Sequence, residues 1–307
     1  MNPSDWPTLP FAEWEKTCDT LHMWTQIVGK TRMALAPLEN HWWNVPLYVT
    51  PRGLSTSSIP WKNGSFAMEF DLMAHQLLFH SSGGVQHCMR LFPRSVADFY
   101  VEYMAALKSL GIEVRIYKVP VEFDDVTPFD QDTHHASYDT EYVDRFRRIL
   151  IQSDRIFKQF RSRFLGKCSP VHFFWGSFDL AVTRFSGRRA PQREGVDPVT
   201  REAYSHEVTS CGFWPGDRRF PHAAYYAYSA PVPPGLEKEP VRPEAAEWNT
   251  QLGEFIFKYE DARGTALKDD LKNDASPDQA ILDFCQSAYE AGAKLAQWDR
   301  ASLERTR

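Results

Sequence analysis

The feature that most constrains the fold is an order of elements that occurs twice along the chain. Residues with apolar side chains at helical spacing run from about 11 to 36 and again from about 141 to 165. Each stretch is followed by a proline and then by a histidine with two aromatic residues, His41-Trp42-Trp43 and His172-Phe173-Phe174. Strand-like segments and another helical stretch follow in each half. This order predicts an α+β protein of two similar helix–sheet–helix halves, with mainly antiparallel strands and a pseudo-twofold relationship.

Local patterns place the elements within each half. In the first half we expect a strand over 41–50, strands over 66–72, 76–80 and 85–91, a helix capped by Ser95 over about 95–110, and a strand over 112–123. In the second half we expect one strand over 171–185, shorter strands over 204–212, 224–229 and 252–259, and a helix over about 277–298. The acidic, polar stretch 124–139 is the best candidate for a connection. We therefore assign the halves to 1–130 and 131–307 and expect them to be fused into one compact unit.

Charge and cysteine content exclude several classes of protein. The 35 basic and 40 acidic side chains give a net charge of −5, which provides no general attraction to nucleic acid or to an anionic membrane. The five cysteines are far apart and form no CxxC pair, so neither a disulfide framework nor a thiolate zinc site is indicated. No secretory signal and no long apolar run occurs. We expect a cytoplasmic protein that binds a small molecule, without a nucleic-acid or membrane partner.

Polar and charged side chains interrupt the apolar stretch that begins at His172. If residues 171–185 form one strand, Asp179 shares a face with Trp175, and His172 shares the other face with Arg184. A buried carboxylate needs a partner or water, because an unpaired one costs several kcal/mol or becomes neutral. The guanidinium groups of Arg184, Arg188 and Arg189 are the nearest cations in sequence, and such groups bind carboxylate or phosphate in a bidentate fork. The pattern predicts an anion-binding mouth over an aromatic floor, although a structural Asp–Arg pair beside a solvated basic turn explains it equally well.

Four histidines form a second candidate constellation. His41, His135, His172 and His206 lie in the aromatic or connecting stretches, and Glu207 follows the last of them. Three imidazoles and a carboxylate would suit zinc or non-haem iron, but no HExxH spacing occurs and scattered histidines are usually hydrogen-bonded core or surface groups. The cofactor therefore stays open, with zinc or iron as candidates, and no nucleotide-binding motif is present. Catalysis by a serine or cysteine nucleophile is less favoured, because no GxSxG turn occurs.

Four stretches of the chain resemble one family. Residues 24–36, 41–53, 169–189 and 204–216 together are similar to a bacterial family catalogued only as a domain of unknown function, number 5996. The resemblance covers nearly the whole chain and implies that these stretches belong to one full-length unit. It implies no activity, cofactor or catalytic residue.

These observations favour a small-molecule enzyme of open reaction class, with an aromatic, His- and Arg-lined pocket for an anionic or polar substrate. The expected catalytic residues are His172, His41, Asp179 and His206. The expected substrate-binding residues are Arg184, Arg188, Trp175, Trp43, Tyr48 and Trp214. A metal would be held by a subset of His41, His135, His172, His206 and Glu207. The alternatives are a non-catalytic ligand-binding or sensor protein, a metal-dependent enzyme, and a structural or partner-binding protein.

The candidate site depends on one geometric expectation. The two segments that begin at His41 and His172 must lie close together and enclose a partly wet hollow. If they lie apart, or meet in a dry interior, the residues named above do not form a shared site.

Overall fold

A computed structural model describes residues 5–265 and 276–305. Over these residues the helices are α1 (Phe11–Leu35), α2 (Val96–Ser109), α3 (Thr140–Ser162), α4 (Pro198–Ala203), α5 (Tyr259–Gly264), α6 (Pro277–Leu295) and α7 (Arg300–Leu303). The strands are β1 (Tyr48–Val49), β2 (Gly53–Ser55), β3 (Ile59–Trp61), β4 (Gly64–Asp71), β5 (Gln76–Ser81), β6 (Gln86–Arg90), β7 (His172–Phe174), β8 (Asp179–Arg189), β9 (His206–Trp214), β10 (Ala224–Ala230), β11 (Glu247–Asn249) and β12 (Glu254–Lys258). Every strand pairing is antiparallel, so the protein is of the α+β class.

The strands form two sheets that meet at one bridge. The first sheet has the order β1-β2-β4-β5-β6, with β3 also paired to β4, and the second has the order β11-β12-β10-β9-β8-β7. Leu47, just before β1, exchanges two backbone hydrogen bonds of 2.9 Å with Phe173 of β7. The segments that begin at His41 and His172 therefore lie side by side.

Helix α1 is the central element of the core. It is buried on nearly every side, and its buried residues include polar ones such as Thr20, Thr25 and Gln26. It contacts α2 through the stacked rings of Trp24 and Phe99, 4.7 Å apart. Burial on all sides explains why its apolar residues do not form a single stripe, as they would in a helix at the surface.

The helices α3 and α6 cover one face of the second sheet. The hydroxyl groups of Ser153 and Tyr225 lie 3.0 Å apart at this interface, and Cys211 of β9 contacts α6 through Cys285. Side chains alternate between the two faces of a strand, so the residues next to Cys211 in β9 and next to Tyr225 in β10 point to the opposite face. That opposite face carries the candidate site.

Several predicted elements are confirmed by the structure. Helix α2 begins after Ser95, whose side chain accepts a hydrogen bond from the Asp98 N–H as an N-cap does. The helices predicted over 141–165 and 277–298 and the meander predicted from 66 to 91 are also present, within a few residues of their expected ends.

Three predicted strands differ from the structure. Residues 40–42 form a short 3-10 helix in which His41 and Trp42 have positive φ angles, so only the end of the 41–50 segment is a strand. The segment predicted as a strand over 171–185 is a hairpin, since a turn at 175–178 separates β7 from β8 and Phe178 has a φ of 58°. Because the chain reverses direction at this turn, side chains do not alternate regularly between the two faces of the sheet from β7 to β8. His172 and Asp179 consequently share one face, because the register pairs His172 with Ala181.

The third difference concerns residues 112–123, which pair with α1 and not with a sheet. The amide of Gln26 donates to the Val121 carbonyl at 2.8 Å and accepts from the Val121 N–H at 2.9 Å. The ammonium group of Lys30 donates to the carbonyls of Tyr117 and Val119. Side chains of one helix thus satisfy the backbone groups that a neighbouring strand would otherwise satisfy.

None of the described helices is long and apolar enough to span a lipid bilayer. All five cysteines are free thiols.

Candidate functional site

A cleft of about 1330 Å³ lies over the face of the second sheet opposite to α3 and α6. Residues of β8, β9, β10 and β12 form its floor: Asp179, Ala181, Thr183, Phe185, Val208, Ser210, Tyr226, Tyr228 and Glu254. Its walls come from one side of α1 and from segments outside the sheets, around residues 41–45, 115–124, 197–204 and 216–219. The cleft is larger than most small-molecule pockets, so it has room for an extended ligand.

The strand register arranges the floor in rows. Thr183, Ser210 and Tyr228 occupy one row across β8, β9 and β10. The next row contains Gly212 beside Tyr226, and a methyl group at Gly212 would overlap the end of the Tyr226 ring. Glycine at this position therefore lets the Tyr226 ring lie across β9, where its hydroxyl group reaches β8.

Asp179 is the buried acid of the cleft, with 6% of its surface exposed. The hydroxyl of Ser177 donates to one carboxylate oxygen at 2.5 Å, and the hydroxyl of Tyr226 donates to the other. Burial raises the pKa of Asp179, and these hydrogen bonds oppose that rise only in part. The Asp–Arg pair expected from the sequence is not formed.

Glu122 and Glu254 lie near Asp179 and complete what we call the acidic end of the cleft. Burial raises the pKa of both carboxyl groups, and the charge of Asp179 raises them further. The pKa of Glu254 reaches about 7. No lysine or arginine of the described residues contributes to the pKa of any of the three, so their charges are not compensated.

A second group of titratable side chains lies beyond the other end of the floor, next to Phe185. The Nζ atom of Lys167 is 2.7 Å from Nε2 of His41, and the rings of His41 and His206 are 5.5 Å apart. Burial lowers the pKa of both imidazoles, and the charge of Lys167 lowers them further. Of these side chains, His41 itself lines the cleft.

Aromatic rings line the space between these two groups. Tyr226 and Tyr228 are stacked with their centroids 6.2 Å apart, and the hydroxyls of Tyr204 and Tyr228 lie 3.0 Å apart. Trp175 lines the cleft and donates to the Val45 carbonyl at 2.9 Å. Trp43 and Trp214 line it as well.

His172 lies on the same sheet face but is covered. The rings of Trp43 and Tyr48 are each 5.6 Å from its ring, and none of its surface is exposed. Burial lowers its pKa to about 3, and neither ring nitrogen has a hydrogen-bond partner among the described residues. His172 is thus beneath the lining of the cleft, and Tyr48, which is half-buried, is not part of the lining either.

The arginines expected to bind substrate also lie elsewhere. Arg184 is fully buried on the opposite face, where its guanidinium group is 3.5 Å from the Phe160 ring centroid and donates to the Phe160 carbonyl. Arg188 is exposed and forms a salt bridge of 2.7 Å with Glu207. Neither is part of the cleft lining. The arginines that do line it are Arg115, Arg218 and Arg219, of which Arg218 is paired with Asp19 and Arg219 with Asp217.

The structure does not bring the proposed metal ligands together. Nδ1 of His135 is 2.7 Å from Asp132, Glu207 is paired with Arg188, and Nε2 of His41 faces the Lys167 ammonium group. Within residues 5–265 and 276–305, no group of three or more His, Cys, Asp or Glu side chains is arranged to hold a metal ion.

The sequence analysis missed five residues of this region: Glu122, Lys167, Tyr226, Tyr228 and Glu254. The signal for two of them was available, since Tyr226 and Tyr228 alternate within a recognised strand that is otherwise rich in alanine. A charged residue at the start of the apolar run Phe255-Ile256-Phe257 was a similar signal for Glu254. Glu122 and Lys167 lie outside the strands, so no periodicity could mark them.

Comparison with known proteins gives a family but no activity. No curated protein and no solved structure is significantly similar to the chain. One family model, described as a family of unknown function (DUF5996), matches residues 6–305 of the 307. The match is essentially full length, and the chain therefore belongs to this family.

Proposed function

We propose that the cleft is the active site of an acid–base enzyme that acts on a polar small molecule. The observation that carries the proposal is the acidic end: three carboxyl groups without a cationic partner among the described residues, on the floor and wall of an aromatic cleft. Asp179 is buried, Glu254 is half-buried and Glu122 is exposed. Buried structural carboxylates are normally paired, because an unpaired buried charge is costly. An uncompensated group of them suits a functional site.

Glu254 is the proposed proton donor and acceptor. A catalytic acid or base works best with a pKa near the operating pH, and burial raises the pKa of Glu254 to about 7. Asp179 has a positioning role, since Ser177 and Tyr226 hold both of its oxygens. Its charge keeps the pKa of Glu254 high.

The acidic end defines which substrate group it accepts. Uncompensated carboxylates repel an anion and attract a cation, while carboxyl and tyrosine hydroxyl groups form hydrogen bonds with hydroxyl or amino groups. Aromatic faces bind both cations and apolar surfaces. We therefore propose that a protonated amine or a hydroxyl-bearing group of the substrate occupies this end, which corresponds to the polar and not to the anionic substrate group expected from the sequence.

A second candidate is a non-catalytic ligand-binding protein with the same cleft. It is favoured by the Asp179 carboxylate, whose two oxygens already accept hydrogen bonds from the protein. In this second candidate function the cleft binds the same class of ligand but catalyses no proton transfer.

The test is a panel of chromogenic nitrophenyl and nitroanilide compounds that carry amino or hydroxyl groups, assayed for binding and for turnover. Wild-type protein should turn over at least one compound, and Glu254→Gln should reduce kcat on it by about 100-fold or more. Glu247→Gln is the matched control, because Glu247 is an exposed carboxylate of the same sheet outside the cleft lining. Binding without turnover would select the non-catalytic candidate, and no binding by any compound would refute both.

The duplication of the halves and the boundary at residue 130 also stay proposals. In support, a long helix precedes each antiparallel sheet and another helix follows it. Separate expression of 1–130 and 131–307 tests the boundary. We expect neither fragment to fold alone, because the buried rings of Trp14 in α1 and Phe146 in α3 are in contact across it, with centroids 5.2 Å apart.

A further inference from the structure

We propose that the end of the cleft next to Phe185 binds an anionic group, a carboxylate or a phosphate monoester, of the same ligand whose polar group occupies the acidic end. This inference rests on the proposed function of the cleft. We call His41, which lines the cleft, together with the adjacent Lys167, Arg189 and His206 the basic end. It supplies the cationic groups that the sequence analysis had assigned to Arg184 and Arg188.

The ammonium group of Lys167 has no anionic partner among the described residues. Its Nζ atom is 2.7 Å from Nε2 of His41 and lies over the rings of Trp43 and Phe185, 5.2 and 5.1 Å from their centroids. A lysine has three N–H donors, so two are left after the bond to His41. In the described part of the chain Lys167 forms no salt bridge, and its charge is held by a neutral acceptor and two ring faces.

The tautomer of His41 follows from its two contacts. Nδ1 lies 3.1 Å from the Glu202 carbonyl oxygen, which can only accept, so Nδ1 carries the proton. Nε2 is then the acceptor for the Lys167 ammonium group, and the imidazole is neutral. His41 therefore orients the lysine without neutralising it.

The backbone that presents His41 is strained. His41 and Trp42 have φ angles of 58° and 60°, a region that residues other than glycine rarely adopt, and two in succession are rarer still. The His41 N–H donates to the Glu202 side chain at 3.1 Å, which holds the segment against α4. This strained segment is what places the His41 ring in the cleft and directs its Nε2 to Lys167.

The surrounding charges make this end positive. His206 pairs with Arg189 across β9 and β8, and its ring is 5.5 Å from the His41 ring. Arg189 forms no salt bridge with any described residue. Glu202 is the acidic neighbour, and its Oε1 atom is taken by the backbone of His41. Lys167 and Arg189, both exposed, therefore contribute two full positive charges near His206, and the charges of both lower the pKa of its imidazole further than burial alone.

The two ends belong to one continuous cleft. Asp179 and Phe185 both line it, and Phe185 is six positions after Asp179 along the strand, a distance of about 20 Å at roughly 3.3 Å per residue. A ligand that contacts both ends is an elongated molecule with a polar or cationic group at one end and an anion at the other. The aromatic floor between them suits a flat or apolar middle part.

The experiment measures binding of phenyl phosphate and of benzoate to the full-length protein by NMR titration. Wild type should bind at least one of them, and Lys167→Met should weaken that binding about tenfold, the effect of one charge-assisted hydrogen bond. Lys238→Met is the matched control, since Lys238 is an exposed lysine that contacts Glu237 at 3.8 Å, outside the cleft lining. Binding of phenyl phosphate alone identifies a phosphate site, and binding of benzoate alone or of both identifies a carboxylate-tolerant site.

Two results would overturn the inference: no binding of either anion, or equal binding by wild type and Lys167→Met. Asp179→Asn separates this test from that of the proposed function. It should leave anion binding unchanged or stronger, because it removes a negative charge. Lys167-dependent anion binding together with a failed turnover assay would refute the enzyme proposal and support the anion site.

Discussion

Replacing Gly212 with alanine tests how the floor of the cleft is built. In most strand interiors this change stabilises, because alanine loses less backbone entropy on folding than glycine does, by about 0.5 to 1 kcal/mol. At Gly212 the new methyl group would meet the end of the Tyr226 ring. That ring can rotate towards the cleft, so the overlap is relieved, but its hydroxyl then no longer reaches Asp179.

The expected magnitude is the difference between these two effects. A hydrogen bond to a charged group contributes about 1.5 to 3 kcal/mol. After subtraction of the entropy gain, Gly212→Ala should lower the free energy of unfolding by about 1 to 2 kcal/mol. Gly264→Ala is the control, because no described atom lies within 4 Å of the added methyl position and Gly264 has no positive φ. It should raise the free energy of unfolding by up to about 1 kcal/mol, which is the entropy effect alone.

The assay is urea unfolding of a double-mutant cycle. Tyr226→Phe removes the same hydrogen bond directly, so Gly212→Ala should cost nothing further in the Tyr226→Phe background. The cycle isolates the shared interaction. Full additivity of the two changes, or a Gly212→Ala variant as stable as Gly264→Ala, would refute the reasoning.

Three further predictions concern buried polar groups. The pKa of Glu254 is raised from 4.5 to about 7, so the folded state loses stability as pH rises through this range. In urea unfolding, the free energy of unfolding of Glu254→Gln should equal that of wild type near pH 4.5 and exceed it by about 2 kcal/mol at pH 8. Gln26→Leu removes both hydrogen bonds to Val121 and should cost about 2 kcal/mol, with faster hydrogen exchange at the Val121 N–H; unchanged exchange would contradict the role given to Gln26. The pKa of His172 is lowered from 6.5 to about 3, so the free energy of unfolding of wild type falls as pH falls below 6.5. His172→Leu should lack this loss, so its free energy of unfolding should rise by about 2 kcal/mol relative to that of wild type between pH 7 and pH 5. Parallel pH profiles of the two proteins would refute this prediction.

The long helices and the first meander could be predicted because their signals are local. Ser95 caps α2, and apolar residues at helical spacing mark α3 and α6. The errors arise where two local signals compete. In residues 171–185 the aromatic run indicates a strand, and it masks the turn that Gly176 and Ser177 help to form. In residues 112–123 the pattern is that of a strand, but the partner is α1, which no local pattern reveals.

The candidate site could be predicted in part for the same reason. The proximity of the segments that begin at His41 and His172 followed from the repeated order of elements, and the Leu47–Phe173 bridge joins them. The roles of individual residues could not be predicted from this repeated order. The turn after β7 changes which side chains share a face, so His172 lies on the cleft side of the sheet with Asp179, and not on the helix side with Arg184. A one-position error in a turn exchanges the two faces of a strand.

The opposite character of the two ends also explains why composition was a poor guide to the ligand. The net charge of −5 and the near balance of basic and acidic residues describe the whole surface, whereas a ligand meets only the side chains of one cleft. Glu122, Asp179 and Glu254 reach one end from three separate parts of the chain, and His41 and Lys167 meet at the other from residues 126 positions apart. Positive and negative charges that largely cancel in the net charge of the chain are thus separated along the sheet. The electric field between oppositely charged ends orients an elongated ligand before contact. Reversal of the charge at one end by Lys167→Glu should therefore weaken binding of an anion more than removal of the charge by Lys167→Met does.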